Sequence, residues 1–279
     1  MLKRFCFACG ALMMTVFFSA CQMLMLEDYD RILRLNTPVE MSDMSAAQLI
    51  GQMNKATDPN RIWRDCKSYI MRQSTRQEQL SGKIRTQNYF TQEIKFRQKE
   101  QMRQTYFRNG EPFSTMLYRD GKVWSITANG TAHEITKKRE SDLTKSFLGF
   151  SNPKADVLTE FHSVEVAVVY EDGKRLYRMV CRHENPRLAP YVKYISADTF
   201  LTVRIETVNY AADGQQYLFS SEPTEYRWIN GVQIATKIHA TTGNFSEEYT
   251  VEEFLINPAI PDSDFELPKG AAIDYTKTR

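Results

Sequence analysis

Six dipeptides constrain this chain more than anything else in it: Asn109-Gly110, Asp120-Gly121, Asn129-Gly130, Asp172-Gly173, Asp213-Gly214 and Asn230-Gly231. Asn or Asp followed by Gly suits a two-residue turn whose central residues both take positive φ, and such a turn joins neighbouring antiparallel strands. Ser81-Gly82 and Gly243-Asn244 are weaker signals of the same kind. Between the turns lie alternating runs of strand-forming residues, such as 113–118, 164–170 and 201–206. In an extended chain every second side chain shares a face. Val164, Val166, Val168 and Tyr170 therefore form one row, and Leu201, Val203 and Ile205 another. Consecutive strands joined this way make an antiparallel meander, and a meander with this many strands curls into a barrel or a strongly bent sheet. Aromatic residues at 12%, with 14 Tyr and 16 Phe, agree with a mainly β fold.

Helical spacing is confined to short stretches. Ser45 reads as an N-cap, followed by Ala46, Ala47, Leu49, Ile50, Met53 and Ala56, and Asp58-Pro59 ends the pattern. The meander is interrupted over 137–150, where Leu143, Phe147, Leu148 and Phe150 form an apolar stripe and Gly149 is a stop signal, so a helix is expected near 138–149. Residues 154–160 add a short helix after Pro153. Trp63, Trp124 and Trp228 fall in strand-like runs. Core packing is the commoner role for such residues, and stacking on sugars or bases the rarer one.

The N-terminus reads as an address. Lys3 and Arg4 precede an uncharged apolar stretch, Phe5 to Phe18, too short to span a bilayer comfortably. Phe18-Ser19-Ala20-Cys21 then resembles a bacterial lipobox, with Phe18 in place of the usual Leu. That resemblance implies cleavage before Cys21 and acylation of its thiol and freed amine. An ordinary cleavable signal and a short anchor helix are the alternatives. Two or three acyl chains anchor far more firmly than one. Gln22 stands where some bacteria place an inner-membrane retention Asp, which favours the outer membrane. The chain thus divides into a signal over 1–20, a lipid-anchored tether over 21–42 and a single domain over 43–279. A flexible tether of about 20 residues spans roughly 25 Å. Its apolar residues, Leu24, Leu26, Ile32, Leu33 and Leu35, also allow a short helix lying on the membrane or on the domain.

Removing Lys3 and Arg4 with the leader leaves 34 basic against 34 acidic residues, so no basic excess remains to bind nucleic acid. A mean hydropathy of −0.48 excludes a polytopic membrane protein. Of five cysteines, Cys6 and Cys9 lie in the leader and Cys21 at the lipobox, leaving Cys66 and Cys181 either to pair or to stay as buried thiols. His133, His162, His183 and His239 each stand alone, without a second ligand at metal-binding spacing. No nucleophile, phosphate-loop or zinc-protease motif occurs. Acidic residues such as Glu165 and Glu206 sit inside alternating runs, where an outward face is the default. No cofactor and no enzymatic activity are expected.

The last third carries a recognisable cadence. Leu201–Glu206 runs toward Asp213-Gly214; Tyr226-Arg-Trp228, Asn230-Gly-Val-Gln-Ile234 and Glu248–Ile256 follow; and Asn257-Pro258, Ile260-Pro-Asp-Ser263 and Phe265-Glu-Leu-Pro268 close it. Together with the helix from Ser45 and the 137–150 insertion, this is similar to the LolA/LolB-type lipoprotein-carrier superfamily over roughly residues 43–268. The resemblance implies an incomplete β-barrel: a strongly curved antiparallel sheet with helices plugging its concave face around an apolar cavity for acyl chains. The candidate lining is Leu49, Met53, Phe147, Leu148, Val164, Val166, Val168, Leu201, Val203 and Ile205. The alternative is that the same residues pack directly on the helices. A lipobox matches the family's membrane-anchored acceptor side better than its soluble carriers, and the charged 62–110 region matches neither closely. The implied function is a periplasm-facing, outer-membrane lipoprotein that holds acyl chains of lipids or lipoproteins during their sorting. The competing reading is a sensor or scaffold lipoprotein that binds an envelope protein, and a hydrolase is a third.

Overall fold

Four of the six Asn-Gly and Asp-Gly pairs, at 109–110, 120–121, 172–173 and 230–231, have both residues at positive φ and close two-residue hairpins. At Asn129-Gly130 only the glycine is positive, and a wider turn forms in which Gly130 N donates to Thr127 O at 2.9 Å. The structure is a computed structural model that describes residues 28–81, 84–98, 101–136, 153, 156–210, 215–243 and 245–268. Asp213-Gly214, Cys21, Phe147, Leu148 and the helix expected near 138–149 lie outside the described residues.

The strands are β1 (Glu40–Met41), β2 (Ser68–Ser81), β3 (Ile84–Arg97), β4 (Gln101–Arg108), β5 (Glu111–Arg119), β6 (Lys122–Thr127) and β7 (Ala132–Glu134), then β8 (Ser163–Glu171), β9 (Lys174–Arg182), β10 (Tyr191–Ser196), β11 (Thr202–Tyr210), β12 (Gln216–Ile229), β13 (Val232–Thr242) and β14 (Phe245–Ile256). They form one sheet of 14 strands in the order β1-β8-β9-β10-β11-β12-β13-β14-β2-β3-β4-β5-β6-β7. Among the described residues every pairing is antiparallel, and the sheet does not close. Two meanders, β8–β14 and β2–β7, meet at a seam where β14 pairs with β2 from Phe245↔Gln79 to Ile256↔Tyr69.

Among the described residues the helices are α1 (residues 28–32), α2 (Ala46–Thr57) and α3 (Val157–Glu160), with a 3₁₀ turn at Asp262–Phe265. Ser45 caps α2 as expected. Its hydroxyl accepts from Gln48 N at 3.3 Å, and the Gln48 amide oxygen accepts from Ser45 N at 2.8 Å. Buried Asp58 ends the helix and folds the following loop back, its carboxylate accepting from Arg64 N at 3.1 Å. α2 touches both β8 and β13, five strand positions apart. On a flat sheet those strands would stand about 24 Å apart, whereas a helix of 12 residues is about 18 Å long. The sheet therefore curls around α2, giving the incomplete barrel with a helix on its concave face.

Directly paired residues share a face, so the register sorts the interior. The inner face carries Tyr177, Met179 and Cys181 of β9 at one end and Tyr69, Phe96 and Met102 at the other. The outer face is covered by the two ends of the described chain. At one end Tyr29 and Leu33 are buried against Leu176, Val180, Val192, Tyr194 and Val208. Arg182 pairs with Asp30 at 3.0 Å, and buried Arg178 donates to Thr37 Oγ1 at 3.2 Å. At the other end Phe265 and Ile260 pack on Leu117 and Ile126. There Lys95 meets Asp264 at 3.0 Å, and Arg103 donates to the Asp264 carbonyl at 3.1 Å.

Two sets of alternatives are decided here. Residues 28–37 are not a free tether: Tyr29 and Leu33 bury enough apolar surface to hold them on the sheet, so the short helix lying on the domain is the correct alternative. Cys66 and Cys181 do not pair, being free thiols in two separate buried clusters.

Candidate functional site

The inner face changes character along its length. Under α2 lies an apolar patch in which Leu49, Phe161, Val168, Tyr177, Met179, Cys181 and Ile195 are buried. Met53, Val164, Val166, Tyr191 and Phe200 pack on it while staying half-buried. Five of the lining residues expected from the sequence, Leu49, Met53, Val164, Val166 and Val168, are thus brought together. Ile205 faces the same side, because it pairs with Lys193, which pairs with Met179. Leu201 is half-buried in the turn between β10 and β11, its carbonyl accepting from Ser196 N at 2.9 Å.

Val203 is elsewhere. The register between β10 and β11 shifts after Tyr194↔Arg204, so that Ile195 meets Thr202 and Val203 is the extra residue. A bulge of this kind turns its additional side chain out of the alternation. Val203 therefore packs on the outer face, against the cluster of Tyr29 and Leu33. The row Leu201, Val203, Ile205 expected from strict alternation does not exist, and a bulge leaves no signature in a run of strand formers.

Beyond the apolar patch the inner face becomes polar. Gln73, Gln92 and Gln104 stand on neighbouring strands, and Gln104 Nε2 donates to the Tyr106 hydroxyl at 2.9 Å. Gln77 Nε2 donates to Glu247 at 2.7 Å, and the Tyr249 hydroxyl donates to the same carboxylate. Burial pushes the phenols of Tyr106 and Tyr249 up. Thr75 is buried, and its hydroxyl has no partner among the described residues. The far end is filled by rings: Trp63 lies 4.9 Å from Tyr69 and 5.5 Å from Phe254, and Tyr69 stacks on Phe96 at 5.2 Å. Trp63 is therefore a core residue, whereas Trp228 is exposed.

Sequence reasoning missed Lys193 and Tyr191. Charged residues in alternating runs were assigned outward, yet Lys193 is on the inner face, its ammonium 5.6 Å from the centre of the Tyr191 ring. Its neighbours across the sheet are Met179 and Ile205, and along the strand Tyr191 and Ile195. Desolvation in this setting pushes the Lys193 ammonium down and the Cys181 thiol up to about 11. Burial beside Phe161, 4.8 Å away between ring centres, also pushes His183 down. Among the described residues no group of His, Cys, Asp and Glu could hold a metal ion, and no helix is long and apolar enough to cross a membrane.

No protein-family model matches the sequence, and no curated protein matches it. Solved structures do match the fold. A LolA superfamily protein from Nitrosomonas europaea superposes with a TM-score of 0.57 at 11% identity, over 80% of this chain and 98% of that one. A domain from Vibrio parahaemolyticus named for outer membrane lipoprotein sorting gives 0.55 at 10% identity, over 78% and 95%. A DUF1329 family protein from Desulfovibrio piger gives 0.53 at 13% identity, over 78% and 97%. The chain has the LolA-like fold.

Proposed function

We propose that this protein is a lipid-anchored envelope lipoprotein whose concave face holds the acyl chains of lipids or lipoproteins, in their sorting to the outer membrane. One observation carries the reading. Under α2 the inner face presents Met53, Val164, Val166, Tyr191 and Phe200 half-buried, so apolar surface remains beneath a helix that bridges the sheet. Acyl chains need such a surface and few directed polar groups. The LolA-like fold supports the same assignment, and one fold neighbour is named for lipoprotein sorting. The anchor is Cys21, from the charged leader, the apolar run and the lipobox-like Phe18-Ser-Ala-Cys21.

Native mass spectrometry of the protein purified from a bacterial envelope tests the cavity. The expected result is a population carrying acyl-lipid adducts that are lost on delipidation and restored by added lipid. A protein that neither copurifies with lipid nor takes it up overturns the reading. Cys21→Ser tests the anchor separately, with release from the membrane fraction expected.

A further inference from the structure

Lys193 is out of place in its surroundings. Every residue beside it in the sheet is apolar or aromatic: Met179 and Ile205 across, Tyr191 and Ile195 along the strand. Among the described residues it forms no ion pair, whereas the four arginines on strands β8 to β11 each have a polar partner, Arg175 with Asp43, Arg178 with Thr37, Arg182 with Asp30 and Arg204 with Glu171. Its ammonium lies over the Tyr191 ring, and it stays half-buried on the inner face, where Met53 and Val166 also pack. An ammonium in an apolar setting is costly unless an anion meets it.

We propose that Lys193 receives the anionic headgroup of the bound amphiphile, so that the site selects acyl chains ending in a carboxylate or phosphate over neutral ones. This rests on the acyl-chain reading above and adds the ligand's charge to it. The headgroup would meet the ammonium beside the Tyr191 ring, and the tail would run along Val166, Met53 and Phe200. An ammonium pairing with carboxylate or phosphate makes a charge-assisted hydrogen bond, stronger inside an apolar cavity than in water.

The test is competition against a neutral fluorescent probe, N-phenyl-1-naphthylamine, by three competitors with the same chain: oleate, oleoyl lysophosphatidate and oleyl alcohol. In the wild-type protein one or both anions should displace the probe roughly tenfold better than the alcohol, and the better anion identifies the headgroup. Lys193→Met should abolish that advantage and leave displacement by the alcohol unchanged; Lys193→Arg should keep it. Equal displacement by all three in the wild type, or an advantage surviving in Lys193→Met, overturns the headgroup assignment while leaving the cavity intact. If neither the probe nor any competitor binds, the acyl-chain reading falls and this proposal with it.

Discussion

Val203 and Ile205 stand two residues apart on β11 yet face opposite sides of the sheet: Ile205 lies opposite Lys193 on the inner face, and Val203 packs under Tyr29 and Leu33 on the outer one. The same substitution at the two positions should therefore fail in different ways. Ile205→Asp places a carboxylate in the proposed acyl site and should abolish lipid adducts in native mass spectra. Val203→Asp should keep the adducts and loosen the outer-face packing, since it puts a charge into a half-buried apolar contact. Faster proteolysis within residues 28–37 is the expected sign. Retained lipid in Ile205→Asp would remove Ile205 from the site.

Gly231 sits at φ +81°, and a Cβ there would lie 2.6 Å from Ile62 Cδ1 in the loop that follows α2. Gly110, at φ +84°, has open space around it. Gly110→Ala should cost about 1–2 kcal/mol from backbone strain alone. Gly231→Ala should cost more in urea denaturation, because Ile62 must also move. Equal losses would mean that this contact does not help seat α2 across the sheet.

Cys66 and Cys181 are buried, and burial raises both thiols, Cys181 to about 11. The thiolate is the reactive form. Neither residue should be alkylated by iodoacetamide at neutral pH in the folded protein, and both should be alkylated after denaturation without reductant. Peptide mapping reads the outcome, and a disulfide-linked peptide containing the two would contradict the structure.

His183 gives the stability a pH dependence. Burial depresses its pKa in the folded state below the usual 6.5. Below that value the unfolded chain binds a proton that the folded chain resists. Its contribution is therefore complete above about 6.5 and declines as the pH falls towards the depressed folded value. His183→Gln should flatten the fall in melting temperature on acidification relative to the wild type. An unchanged slope would show that His183 does not titrate in this range.

The hairpins were the legible part of the fold, because an Asn-Gly or Asp-Gly pair states its turn geometry in two residues. Helix α2 was legible for a similar reason: Ser45 and Asp58 mark its ends locally. The apolar patch was half legible. Val164, Val166 and Val168 alternate without interruption, but the bulge at Val203 depends on β10 and has no local cause in the sequence. Lys193 was missed because only the register with β9 and β11 reveals that its face is the inner one. The docking of residues 28–37 was left between two alternatives because its receptor, Leu176, Val180 and Val192, lies far away in sequence.

The seam between β14 and β2 has a consequence in time. Strands β2 to β7 are complete once Glu134 has been made, but the partner of β2 begins only at Phe245. A chain exported N-terminus first must bring out strands β8 to β13 before β2 meets β14, and until then that edge of β2 has its backbone donors and acceptors open. A long unpaired strand edge is where one chain adheres to another. The nascent protein is then most vulnerable while its first meander is finished and its last strand does not yet exist, so truncation before Phe245 should yield aggregates rather than a smaller soluble domain.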